Sequence, residues 1–159
     1  MRNKQKGFSL IELLIVVAII LIIAAIAIPN LLRSKMAANE ASAVSSMRTL
    51  NTSIVAYSTT YGTDPSSLGS MGPATTPSST AADLVDSLLG TDPASKSGYI
   101  ITYVAGAAPS GTTSISTYTM VAAPQSTSTG QRKFFTDQSG VIRQTTDGST
   151  PTVSSSPIG

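Results

Sequence analysis

Residues 6–30 read KGFSLIELLIVVAIILIIAAIAIPN. From Phe8 to Ile28 the only polar side chains are Ser9 and Glu12. As a helix these 21 positions span about 31 Å, close to one bilayer core. The flank before them, MRNKQKG, is short and positive and holds no acid. Arg2, Lys4 and Lys6 stand there, so the flank is expected to stay cytoplasmic while the remainder crosses.

Downstream the pattern changes. Between residues 29 and 61 apolar side chains recur every three or four positions, at Ala37, Ala41, Val44, Met47, Leu50, Ile54, Tyr57 and Tyr61. That spacing is one stripe of an amphipathic helix. Arg33, Lys35, Asn39, Glu40, Ser45, Arg48, Asn51 and Ser58 fall on its other faces. Gly62 and Pro65 supply the stop. The two segments together predict one helix about 80 Å long. Pro29 removes a backbone donor inside it and predicts a kink or a loosened turn.

Residues 62–159 are a different polymer, crowded with Ser, Thr, Gly and Pro. TAADLVDSLL at residues 80–89 predicts a short helix, capped by Thr80 and ended by Gly90. Residues 99–104, 116–123, 133–136 and 141–144 are strand-like, rich in β-branched and aromatic residues. Residues 137–140, DQSG, predict a hairpin turn between the last two. An antiparallel sheet must bury one face, and the stripe from Val44 to Tyr61 is its partner. The tail from residue 145 onward reads as irregular. The expected class is therefore α+β, a long amino-terminal helix packed against a small antiparallel sheet.

Composition removes whole classes of chemistry. The 159 residues include no His, no Cys and no Trp. Thiol catalysis, disulfides, zinc sites built on Cys or His and Ser-His-Asp hydrolysis are all excluded. No phosphate-binding loop or serine-hydrolase motif occurs either, so the chain does not read as an enzyme, and no cofactor is implied. The net charge of +2 is concentrated in the leader. A basic character confined to the first residues is a targeting signal, and no specific nucleic-acid binding follows from it.

The amino-terminal segment admits three readings: an uncut anchor, a secretory signal cut after Ala25-Ile26-Ala27, or a leader cut between Gly7 and Phe8. The apolar run exceeds the usual 7–15 residue signal core, which argues against the second. Glu12 argues for the third. A carboxylate in a spanning helix costs a few kcal/mol or more unless it is paired. A cut after Gly7 creates an α-amino group four residues away, on the same or a neighbouring chain.

This arrangement of basic leader, Gly7-Phe8, Glu12, apolar run and Pro29 resembles the prepilin signature of type IV pilins and of the type II secretion pseudopilins. The resemblance implies a pilin fold with leader residues 1–7, filament-core helix 8–28, amphipathic continuation 29–61 and globular head 62–159. It implies peptidase cleavage at Gly7/Phe8, methylation of Phe8, a register role for Glu12 and helix breaking at Pro29. Val44, Met47, Leu50, Ile54, Tyr57 and Tyr61 are the expected contacts of helix and head. The implied partners are further copies in a helical filament, the prepilin peptidase and methyltransferase, an inner-membrane assembly platform with its ATPase, and the membrane that holds the precursor. The implied destination is a cell-surface pilus, with motility, adhesion, DNA uptake or attachment as family roles. A pseudopilin of a periplasmic secretion piston is the alternative, a minor pilin another, and a binding module on a simple anchor a further one. Many pilins staple the carboxy-terminal loop with a disulfide, which this chain cannot do.

Further motifs have plainer readings. Asp137 suggests a calcium loop, but a hairpin turn explains it with fewer ligands. Asp83 and Asp86 suit a helix start. Asn51 heads an N-x-S sequence inside a predicted helix. Arg132, Lys133 and Arg143 suit a solvated sheet edge. The tyrosines and phenylalanines suit packing. The Ser/Thr-rich runs 75–80 and 145–156 suit either loops or sugar attachment.

Overall fold

A computed structural model describes residues 7–158. The basic leader side chains Arg2, Lys4 and Lys6 lie outside the described residues. The chain divides into two compact units, Met1–Lys35 and Met36–Gly159. Helix α1, Leu10–Tyr61, contributes to both and passes through Pro29 without interruption. A proline ring has no N–H to donate, so one hydrogen bond of the ladder is missing there.

In the second unit the sheet is a simple antiparallel meander. Its strands are β1 (Ala94–Lys96), β2 (Tyr99–Ala105), β3 (Tyr118–Pro124), β4 (Lys133–Asp137), β5 (Arg143–Thr145) and β6 (Ser156–Pro157), in that spatial order. Alternation decides the faces: Tyr99, Ile101 and Tyr103 on β2 are buried, while Ile100, Thr102 and Val104 are exposed. On β3 the buried positions are Tyr118, Met120 and Ala122. These side chains form one core with Ala43, Met47, Leu50, Ile54 and Tyr57 of α1. The arrangement is α+β and pilin-like. A hairpin turn joins β4 to β5, where the Gly140 N–H donates to the Asp137 carbonyl at 2.9 Å and Gly140 takes a positive φ of 71°.

Three expectations change. Residues 80–89 are not helical; they form an irregular run of bends and turns. Their donors are engaged elsewhere: Ala82, Asp83 and Leu84 give their N–H groups to the Ser70, Gly72 and Met71 carbonyls at 2.9 Å each. Docking against the short 3-10 helix Leu68–Met71 thus outcompetes a local ladder of marginal length. Second, the tail is not irregular throughout. Residues 156–157 add β6 to the sheet edge, and the Arg143 guanidinium donates to the Ser155 carbonyl at 3.0 Å. Third, Glu40 lies in the core-facing stripe at 7% exposure, whereas Ala37 and Ala41 are exposed. Apolar periodicity could not place a charged residue inside, because its burial depends on a partner far along the chain.

The loop before β4 is held where no side chain fits. A Cβ on Gly130 would clash with the Tyr99 hydroxyl and ring. That hydroxyl donates to the Arg132 carbonyl at 2.8 Å. Gly130→Ala is expected to destabilise the second unit by about 1–3 kcal/mol through overpacking. A thermal melt followed in the near ultraviolet checks this, with an unchanged midpoint as the contrary result.

Candidate processing and assembly site

The first unit offers one exposed apolar helix and its start. Gly7, Phe8 and Ser9 precede α1 and are exposed, Phe8 at 83%. Helical structure begins at Leu10 because Ser9 and Glu12 cap each other. The Ser9 N–H donates to Glu12 Oε2 at 2.8 Å, and the Glu12 N–H donates to Ser9 Oγ at 3.3 Å. This is a reciprocal capping box, and Ser-x-x-Glu before an apolar run is its signature. Ser9 is thus more than a polar residue in the apolar run: its hydroxyl caps the helix start. The acid also sits in the first turn, where the helix dipole favours a negative group.

From Leu10 to Leu32 the helix carries a single charge, Glu12. It is long and apolar enough to cross a membrane, and none of its most apolar 18-residue window is buried. Apart from the first turn and the bond missing at Pro29, its backbone bonds are met within the helix, which is what a hydrocarbon surrounding demands.

In the second unit Met47, Leu50, Ile54 and Tyr57 are buried, and Val44 and Tyr61 pack on the same core while partly exposed. The Tyr57 hydroxyl donates to the Ser79 carbonyl at 2.6 Å, and its ring centroid lies 4.7 Å from that of Tyr61. Higher on the same stripe, Glu40 holds the loop before β4. Its carboxylate accepts from the Gln131 N–H at 2.9 Å, the Arg132 N–H at 3.2 Å and the Arg132 Nε at 2.7 Å. Burial alone would raise its pKa, but these donors and the guanidinium charge together hold it below the usual carboxylate value. Burial pushes the nearby Tyr99 hydroxyl up to about 12, with the Glu40 charge adding to it.

The remaining candidates occupy plain structural positions. Asp137 accepts from the Ser139 N–H at 2.9 Å and from its hydroxyl, closing the hairpin turn. No cluster of three or more His, Cys, Asp or Glu occurs among the described residues. Asp86 pairs with Lys96 at 3.5 Å and accepts from the Leu89 N–H, while Asp83 takes a positive φ of 54°. The Asn51 side chain is engaged with Thr136 and Tyr118, at 3.1 and 3.2 Å. Arg132 is drawn to Glu40 and Gln144, Arg143 to the tail, and Lys133 to the Gly148 carbonyl. The rings of Tyr103 and Tyr118 stack at 5.7 Å within the core.

Comparison with known proteins now bears on the helix start. The prokaryotic N-terminal methylation motif matches residues 2–28. The amino-terminal segment thus carries the methylation motif, with Gly7, Phe8 and Glu12 inside it. The chain is also similar to the type IV wide pilus major component PilA4 of Thermus thermophilus, 65% identical over 40 residues. That match covers 25% of this chain and 30% of the relative. No solved structure matches the chain. The motif therefore ends within the apolar part of α1, and the sheet lies outside it.

The sheet unit's stability should depend on acid in a definite sense. Glu40 has a lowered folded pKa, so its contribution is complete above the unfolded value near 4.5. It is lost as pH falls through the folded value. Glu40→Gln should flatten that acid limb and cost about 1–3 kcal/mol at neutral pH. Denaturant melts at several pH values test this. An unaltered acid limb would contradict it.

Proposed function

We propose that this chain is the major structural subunit of a type IV pilus. The carrying observation is the start of α1: an exposed Gly7-Phe8 pair, a capped Glu12, and then apolar side chains on every face of a window of which nothing is buried among the described residues. In the precursor the bilayer covers them. A membrane peptidase hydrolyses the Gly7–Phe8 peptide bond, leaving a carboxylate on Gly7 and an α-amino group on Phe8; a methyltransferase then replaces one N–H proton with the methyl of a sulfonium donor, which leaves as the thioether. Copies leave the membrane and stack with their apolar helices inside and their sheet units outside.

The energetics fit a polymer that forms readily and stays formed. Removing one Val, Leu or Ile side chain from water is worth about 1.5–3 kcal/mol. In lipid these side chains are already dry, so transfer into a filament core is nearly neutral. Polar pairing and close packing then choose the site. The Phe8 amine and the Glu12 carboxylate supply that choice, because an out-of-step copy leaves a buried charge unpaired. Pro29 lets the helix stretch locally during packing. The pilin family is structural and not enzymatic, and the role of the curated relative as a major pilus component favours pilus over secretion piston.

Intact mass and amino-terminal sequencing of material sheared from cells test the reading. The expected species lacks residues 1–7, bears one methyl on Phe8 and dominates the sheared fraction. A chain beginning at Ile28, or one retaining Met1 and confined to membranes, would overturn it. Glu12→Leu should leave the precursor inserted and reduce filament yield at least tenfold. Wild-type yield would remove Glu12 from the account.

A further inference from the structure

Beyond its apolar stretch, α1 carries positive charge without counter-charge. Arg33, Lys35 and Arg48 are exposed, and the only acid from residue 33 to residue 61 is Glu40, which is held by Arg132. The ion pairs among the described residues are Asp86 with Lys96 and Glu40 with Arg132, so none of the three helix cations is paired. The rest of the chain has the opposite excess: residues 62–159 hold six acids against four basic residues.

One surface groove combines part of that acidic excess with exposed apolar surface. Asp83 and Asp86 line a groove of about 500 Å³, together with Ser42, Ser45 and Thr49 of α1. Lys96 lies there too, paired with Asp86 at 3.5 Å. Asp83 has no such partner: it is exposed, and its carboxylate accepts from the Ala74 N–H at 3.4 Å. Leu84 lines the same groove, and both it and Leu88 are exposed.

The complement to this groove stands on α1. Leu31, Leu32 and Lys35 are exposed and spaced three and four positions apart, so they share one helix face. Arg33 is about 200° around the helix from Lys35 and belongs to the other side. Two leucines beside an unpaired ammonium match two leucines beside an unpaired carboxylate, and the pairing is not made within the chain. Membrane exit gives the contact its moment. While the helix lies in the bilayer, Lys35 sits just past the apolar run, where a long basic side chain reaches headgroup phosphates. Extraction removes that counter-charge, and an acid on another copy replaces it.

We propose that the groove at Asp83 receives the Leu31–Lys35 face of a second copy of this chain, with Lys35 paired to Asp83 and the leucines against Leu84 and Leu88. The proposal rests on the filament reading and deepens it, by adding a contact that a copy still in the membrane does not make. Because both partners are exposed before they meet, the pair selects register and partner more than it adds holding strength.

Charge reversal tests the pairing, with leader removal and Phe8 methylation followed by mass in every variant and folding checked by near-ultraviolet dichroism. Lys35→Asp and Asp83→Lys should each lower the yield of sheared filaments about tenfold, and the two together should restore it to within about threefold. Residue 83 has a positive φ of 54°, so Asp83→Asn, which tolerates that conformation, is the milder variant and should lower yield in the same direction. Arg33→Asp, on the far face, should leave yield within about threefold of the unaltered chain. Cross-linking gives a readout that does not depend on how Asp83→Lys folds. Lys35→Cys combined with Asp83→Cys, in a chain with no other cysteine, should give covalent multimers when assembled filaments meet a short bismaleimide, and neither single variant should. Processed filaments that show no cross-link, or reversals whose losses add instead of cancelling, would overturn the contact and leave the filament reading standing. An unaltered chain that yields no processed filaments would overturn both.

Discussion

The constraint on which everything else depends is that the first half of α1 is apolar and, among the described residues, unburied. Residues 10–32 are apolar around the whole circumference, and the window that would cross a membrane is fully uncovered. No soluble monomer tolerates so large an apolar surface. The surface must be held by lipid or by other copies, and a helix meets either with its backbone bonds made within one segment. Glu12 is then the single charge in that stretch. Its cap from Ser9 means that the carboxylate already has one donor before any partner chain arrives.

The second unit solves a separate problem. A sheet of short strands, with three residues each in β1 and β5 and two in the edge strand β6, needs a wall to pack against. Residues 43–57 of α1 supply it, and the buried aromatic side chains of β2, β3 and β4 fill the space between. No cysteine is available to fasten the loops. Polar clamps act instead: Asn39 to the Thr129 carbonyl, Glu40 to the Arg132 region, and Arg143 to the Ser155 carbonyl. The clamp at Glu40 carries a pH dependence that a disulfide would not.

The extent to which the sequence was legible follows the range of the interactions. The apolar run, the stripe from Met47 to Tyr57 and strands β2 to β4 announce themselves through local period, and their bounds shift by only a few residues. Segments whose conformation depends on distant partners did not. Residues 80–89 have a helix-like composition but give their donors to a neighbouring loop. Residues 156–157 become a strand only because β5 leaves an edge to pair with. Glu40 reads as solvent-facing until Arg132, 92 positions away, comes within 2.7 Å. Ser9 was readable, since its spacing to Glu12 is a local capping signal. The burial of Asp64 depends on the β2–β3 connection folding back to Ile115 and has no local signal at all.

The central claim is that residues 10–32 are buried by other copies in the functional state. The native chain has no cysteine, so a single introduced thiol is a unique reporter. We would place one at Ile20 and, as a reference, one at the exposed Thr112, and measure maleimide labelling of intact surface filaments. The account predicts protection of the Ile20→Cys thiol by at least a hundredfold relative to Thr112→Cys, with protection lost on dissociation into denaturant. Equal labelling of the two positions in assembled material would contradict it.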